Sequence, residues 1–101
     1  MASRLDLHSE LVKVLGTNNV YFQPPESLKL IYPCIVYERS DIRSFDADNK
    51  KYLKTHHYTI TVIDKDPDSK IVENISELQK IRFIRHFATE GLNHDVFEIY
   101  Y

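Results

Sequence analysis

The sequence predicts a single α+β domain with two helices packed on one face of a mixed, mostly antiparallel sheet of about four to five strands. Two observations favour this class. Segments with apolar residues at helical spacing and segments rich in β-branched and aromatic residues follow one another in the order α-β-β-β-α-β-β. The 101 residues, 43% of them apolar, are enough for one hydrophobic core and too few for two. We therefore expect residues 1–101 to fold as one domain.

The first predicted elements are a helix and a short edge strand. Apolar residues recur at helical spacing from about Arg4 to Leu15. Ser3 with Asp6 resembles a capping box, and Gly16 stands where a helix C-terminus favours a left-handed residue. The next β-prone run is Val20–Phe22, and two prolines follow it closely. Because proline cannot donate to a strand ladder, this strand is expected at an edge of the sheet.

Two long strands are expected at the centre of the sheet. Residues 33–39 carry apolar side chains on both faces, and residues 52–63 alternate between a core face and a more polar face. The stretch between them, residues 40–51, is polar, mixed in charge and without a clear period. We interpret this stretch as a long, mobile loop that joins two antiparallel strands.

This predicted loop is the candidate assembly site of the chain. Its apolar residues can anchor a partner and its charges can select one, so we expect the loop to become ordered on assembly. A plain solvated connection between two strands explains the same residues equally well. The candidate assembly residues are Ile42, Arg43, Phe45, Asp46, Asp48, Lys50 and Lys51.

The second half of the chain predicts a helix followed by two strands. Asp66 can cap the helix and Pro67 suits its first position. After this helix the apolar period is compatible with more helix or with a strand, and we favour a strand from about residue 82 to residue 89. A turn at residues 91–94 and a strand over residues 96–101 complete the order.

The predicted sheet has more apolar surface than its two helices can cover. Helices on the same side cover one face only, whereas several strands carry apolar residues on both faces. We therefore expect a partner to cover the second face, and the seven tyrosines favour this because tyrosine is enriched at interface cores. The alternative is that scattered surface tyrosines are ordinary.

The residues predict no catalytic, cofactor-binding or metal site, and we expect a protein that is not an enzyme. Three alternate carboxylates, Asp64, Asp66 and Asp68, resemble the start of a calcium loop. Ser69 and Ile75 occupy the positions where that loop needs glycine and glutamate, so helix capping explains the acids better. Two of the five histidines are adjacent in a predicted strand and point to opposite faces, while the others are scattered.

Charge and cysteine usage exclude further classes. Thirteen basic and fifteen acidic residues give a net charge of -2, which does not favour nucleic acid or anionic lipid. Arg82, Arg85 and His86 lie near two phenylalanines, and we interpret them as a salt-bridged strand face rather than a base-stacking surface. Cys34, the single cysteine, is expected to be a buried core thiol. No signal-peptide core or membrane span is evident, so we expect the protein to be made and kept in the cytosol.

Four segments together resemble one protein family. In these segments and in their order, the chain is similar to the tail terminator or minor capsid proteins that long-tailed phages of Gram-positive bacteria encode among their head–tail joining genes. The matching segments are residues 19–25 (NVYFQPP), 32–38 (YPCIVYE), 61–69 (TVID-x-DPDS) and 92–97 (LNHDVF).

The resemblance implies an α+β subunit of a ring, expected to be hexameric, on the head-proximal end of the tail tube. Such a ring stops tube growth and faces the neck. The implied partners are further copies of the chain, the major tail protein and a neck or head-completion protein, in a virion assembled in the host cytoplasm. No individual contact residues are transferred. Two alternatives stay open: a head-closure or neck adaptor protein, and a small cytosolic ligand-binding regulatory module, which would hold a discrete pocket.

Overall fold

The computed structural model describes the backbone of residues 4–47 and 50–101, and the side chains of residues 4–40 and 56–101. The predicted order α-β-β-β-α-β-β and the α+β class are confirmed. The elements are α1 (Arg4–Leu15), β1 (Val20–Phe22), β2 (Cys34–Ala47), β3 (Lys50–Asp64), α2 (Lys70–Ser76), β4 (Ile81–Thr89) and β5 (Leu92–Tyr100).

The strands form one mixed sheet in the order β1-β2-β3-β5-β4. Only β1 and β2 are parallel, with Val20 opposite Ile35, and the three other pairings are antiparallel. β1 lies at an edge, as the prolines after it predict. β4 forms the opposite edge and confirms the prediction of a strand at this place.

Both helices pack on the same face of the sheet, as predicted. α1 contributes Leu7, Leu11 and Leu15 to the core, and α2 contributes Ile75. Neither helix is long and apolar enough to cross a membrane, within the part of the chain that the structure describes. The sheet residues buried beneath the helices are Ile35, Tyr37, Tyr58, Ile60, Val62, Phe97 and Ile99.

The ends of the two helices differ in how well the sequence predicts them. α1 has its predicted bounds, and Gly16 follows it with a φ of 84°, its N–H donating to the carbonyl of Val12 at 2.9 Å. Ser3, the predicted cap, lies outside the described residues. These contacts show that the glycine ends α1 as its position predicts.

The predicted start of α2, with Asp66 as cap and Pro67 as first residue, is wrong. The helix begins at Lys70, and Ser69 is its N-cap. The carboxylates of Asp64 and Asp66 instead accept from the backbone N–H two residues further on, at 3.1 and 2.9 Å. These successive Asx turns hold the acidic stretch outside the helix.

The prediction of a mobile loop over residues 40–51 is also wrong. Residues 41–47 of β2 pair with residues 50–57 of β3. The register shifts by one residue between Arg39 and Asp41 and again between Phe45 and Asp46, and each shift interrupts the alternation of faces, so no strand period runs through this segment. Ile42, Arg43, Phe45, Asp46, Lys50 and Lys51 are strand residues, and Asp48 lies outside the described residues.

The last hairpin is tighter than predicted. β5 begins at Leu92, which pairs with Thr89, so the turn consists of Glu90 and Gly91 rather than residues 91–94. Both turn residues have positive φ, 52° and 76°. A two-residue turn with this backbone matches the twist of the flanking strands, and pairing therefore starts directly after it.

Replacing Gly91 tests this turn. An added Cβ would meet no atom within 4 Å, so any loss of stability reports the backbone alone. We expect Gly91→Ala to lower the free energy of unfolding by about 1–2 kcal/mol, because only glycine adopts positive φ without cost. Chemical denaturation measures the change. Glu90→Gly is the matched control and should be neutral or stabilising; a Gly91→Ala variant as stable as the parent chain would contradict this turn.

Candidate functional site

The β2–β3 hairpin extends beyond the rest of the sheet. β1 pairs with β2 only at residues 35–37, and β5 pairs with β3 only as far as His57. Residues 43–47 and 50–55 pair only with each other among the described residues, and we call this ribbon the arm. The elongated outline of the chain, 51 × 26 × 23 Å, agrees with it. A two-stranded ribbon is at best marginally stable in water.

The arm contains most of the predicted assembly residues. Ile42 pairs with His56 at the base of the arm, and the register continues outwards to Ala47 opposite Lys50. The segment singled out by its composition therefore projects from the molecule, although as a strand pair rather than as a loop.

β4 is the second unpaired feature. Its nine residues pair with β5 on one side only, and all of them except Ile81 are exposed. Three large apolar side chains stand out from it, with exposed fractions of 51% for Phe83, 43% for Ile84 and 37% for Phe87. An exposed strand edge that carries apolar side chains is a ready surface for pairing with another chain.

Two side chains of β4 contact carboxylates of β5, which confirms part of the predicted salt-bridged face, but the contacts lie on opposite faces because Glu98 and Asp95 are three residues apart on one strand. Arg82 donates to the carboxylate of Glu98 at 3.1 Å, and His86 Nδ1 lies 2.8 Å from a carboxylate oxygen of Asp95. Arg85 lies over the ring of Phe87, 5.1 Å from its centroid. Two of the three cationic side chains thus have a carboxylate partner within the sheet.

The second face of the sheet is partly covered by the chain itself. The connection between β1 and β2, residues 23–33, faces Val36, Ile63 and Phe87 across a cavity of about 370 Å³. The expected partner is therefore not needed over this part of the face. The connection exposes apolar residues of its own, Leu28 and Ile31, so the molecule still presents apolar surface on this side.

Cys34 is a buried thiol, as predicted. Its side chain is fully buried at the start of β2, and burial raises the pKa of the thiol to about 11. Because the thiolate is the nucleophilic form, the folded chain holds very little reactive sulfur near neutral pH.

Thiol labelling tests this assignment. With a pKa of about 11, about one Cys34 thiol in a thousand is ionised at pH 8. We expect a disulfide reagent to label the native chain at least about 100-fold more slowly than the chain in denaturant, since an unfolded thiol has a pKa near 8.5. The denatured chain is the control, and equal labelling rates would show that Cys34 is accessible.

The adjacent histidines point to opposite faces, as predicted. His57 is buried, with Nδ1 2.9 Å from a carboxylate oxygen of Glu98, while its Nε2 has no hydrogen-bond partner. His56 lies on the helix side, its Nδ1 3.4 Å from the hydroxyl of Tyr58. In the described part of the chain, no three His, Cys, Asp or Glu side chains are grouped as metal ligands would be.

A cationic pocket lies beside the base of the arm, and the sequence did not predict it. Its volume is about 310 Å³, and its lining includes Arg4 of α1, Arg39 of β2 and His56 of β3. These residues come from three elements that only the folded sheet brings together. The one signal in the sequence is the strand alternation that places His56 and Tyr58 on the same face.

Arg4 is held in place in this pocket. Its guanidinium lies 4.4 Å from the centroid of the Phe22 ring and donates to the hydroxyl of Tyr37 at 3.1 Å. That hydroxyl is also 2.8 Å from His8 Nδ1, and burial raises the pKa of Tyr37, so the phenol stays neutral. One N–H of Arg4 is used in this way, and a guanidinium has five, so others remain for a ligand.

No protein-family model matches the chain, and no curated protein matches it either. Function is therefore inferred from the residues, from their placement in the fold and from the resemblance carried by the four segments.

Proposed function

We propose that the chain is a subunit of a tail terminator ring on the head-proximal end of a phage tail tube. The observation that carries the proposal is that the described sheet leaves strand edges unpaired on both of its sides, among them the outer edge of β2 in the arm and the edge of β4. The phage setting comes from the resemblance of the four segments to terminator and head–tail joining proteins.

The positions of the two edges favour a ring. β2 faces outward on the β1 side of the sheet, and β4 closes the other side. When different patches of neighbouring copies meet, the contact is heterologous, and heterologous contacts that close form rings. We infer that β4 of one copy pairs with the arm of the next, which extends the sheet from subunit to subunit.

The role needs contact surfaces and no reaction. The exposed apolar residues of β4 and those of the β1–β2 connection supply contact area, with Phe83, Ile84 and Ile31 the most exposed among them. Interface cores are apolar at their centre and polar at their rim, and the salt bridges of β4 suit such a rim.

Two other functions compete with this one. A neck adaptor would use similar surfaces, but on a different partner. A ligand-binding module is favoured by one observation, the discrete cationic pocket with its converging polar groups. The three readings differ in what the chain binds.

Native mass spectrometry over a concentration series, alone and with assembled tail tubes, tests the proposal. We expect a closed ring, or binding to tubes at one ring per tube end. A chain that binds neck assemblies and ignores tubes would support the adaptor, and a monomer that binds neither would contradict any ring function.

Ile84→Lys tests the role of β4. Ile84 is 43% exposed and lies where the register with β5 shifts, so a lysine there adds charge to the edge with little loss of core packing. We expect the ring or tube-bound form to be lost, while the free energy of unfolding of the monomer changes by no more than about 0.5 kcal/mol. Mass spectrometry and chemical denaturation measure the two effects.

Leu5→Lys is the matched control, because Leu5 is 64% exposed on α1. It makes the same kind of change away from β4 and should leave assembly intact. A ring that forms equally well from the Ile84→Lys chain would show that β4 is not a subunit contact.

A further inference from the structure

The cationic pocket has no counter-charge of its own. No carboxylate is among its lining residues, and no described carboxylate lies within ion-pair distance of Arg4 or Arg39. Two guanidinium groups around one cavity repel each other, and an anion between them removes that cost. The pocket is thus complementary to an oxyanion.

An anionic loop of the same chain has the complementary charge. Asp64, Asp66 and Asp68 follow one another at alternate positions, and the first two each use one carboxylate oxygen in an Asx turn. Asp66 and Asp68 are exposed, and the Asx turn fixes the direction of the Asp66 carboxylate. Lys65 and Lys70 are neighbours in sequence, yet neither forms an ion pair with these acids among the described residues. A loop that is already ordered loses little entropy on binding.

The pocket and the loop cannot meet within one chain. Tyr58 lines the pocket and Asp64 begins the loop. These residues lie six positions apart on β3, which at about 3.3 Å per residue separates them by about 20 Å. They can meet only between two copies, and in the proposed ring the pocket of one copy and the loop of the next form a heterologous contact.

We propose that the cationic pocket of one copy receives a carboxylate of the 64–68 loop of the next copy. This inference rests on the proposed ring and names the charged part of its subunit contact. Arg39 receives the carboxylate, since its side chain makes no hydrogen bond or ion pair with a described residue, while the fixed Arg4 and His56 complete the pocket.

Paired charge reversals test the contact. Arg39→Glu reverses the pocket and Asp68→Lys reverses the loop. Both side chains are exposed and neither carboxylate nor guanidinium is used within its own described chain, so both variants should fold. Lys13→Glu, at an exposed residue of α1 outside the pocket, is the control for net charge.

We expect sedimentation velocity to show that each reversal alone weakens assembly at least tenfold, while Lys13→Glu does not. An equimolar mixture of the two reversed chains should restore assembly. In an alternating ring with an even number of subunits, every contact then joins either the two unchanged surfaces or the two reversed surfaces.

The outcomes separate the contact from the ring. If the parent chain assembles and Arg39→Glu assembles equally well, the contact is wrong and the ring stands. If the parent chain fails to assemble both with and without tubes, the proposed ring is wrong, and the proposed contact is then wrong as well. If inorganic phosphate shifts the NMR signals of Arg39 and His56 while the reversed chains still assemble, the pocket serves a small anion, and the proposed contact is overturned.

Discussion

The pairing of β2 with β3 is the constraint on which the other parts of the molecule depend. Its inner half places Tyr37 beside Ile60, beneath the helices, and so defines the core face. The pairing continues into the arm, but its register shifts by one residue between Arg39 and Asp41 and again between Phe45 and Asp46. Each shift interrupts the alternation of faces along β2, so the alternation of the core half does not run unbroken into the arm.

Tyr37 connects this pairing to the first helix. It is fully buried, and its hydroxyl contacts Arg4 and His8, one turn apart on α1. A buried hydroxyl without partners would be costly, so the helix is held at the position where these contacts form. The position of Arg4 in the cationic pocket is therefore a consequence of how the core satisfies one polar group.

The sequence predicted the elements whose signals are local. Gly16 ends α1, prolines confine β1 to an edge, and alternation identifies β4 as a strand. The arm was missed because two register shifts in β2 interrupt the alternation by which a strand is predicted. The start of α2 was missed because Asx turns and helix caps use the same residue types. The cationic pocket depends on Arg4, Arg39 and His56 meeting in three dimensions. Because these residues come from distant parts of the sequence, their spacing does not predict that they meet.

The arm also restricts how proteins of this shape can vary in size. Successive side chains on a strand face opposite sides of the sheet. Adding one residue to each strand would therefore exchange the two faces at the end of the hairpin. Adding two residues to each strand keeps the faces and lengthens the arm by about 7 Å. The reach of the arm beyond the rest of the sheet can therefore change only in steps of about this size.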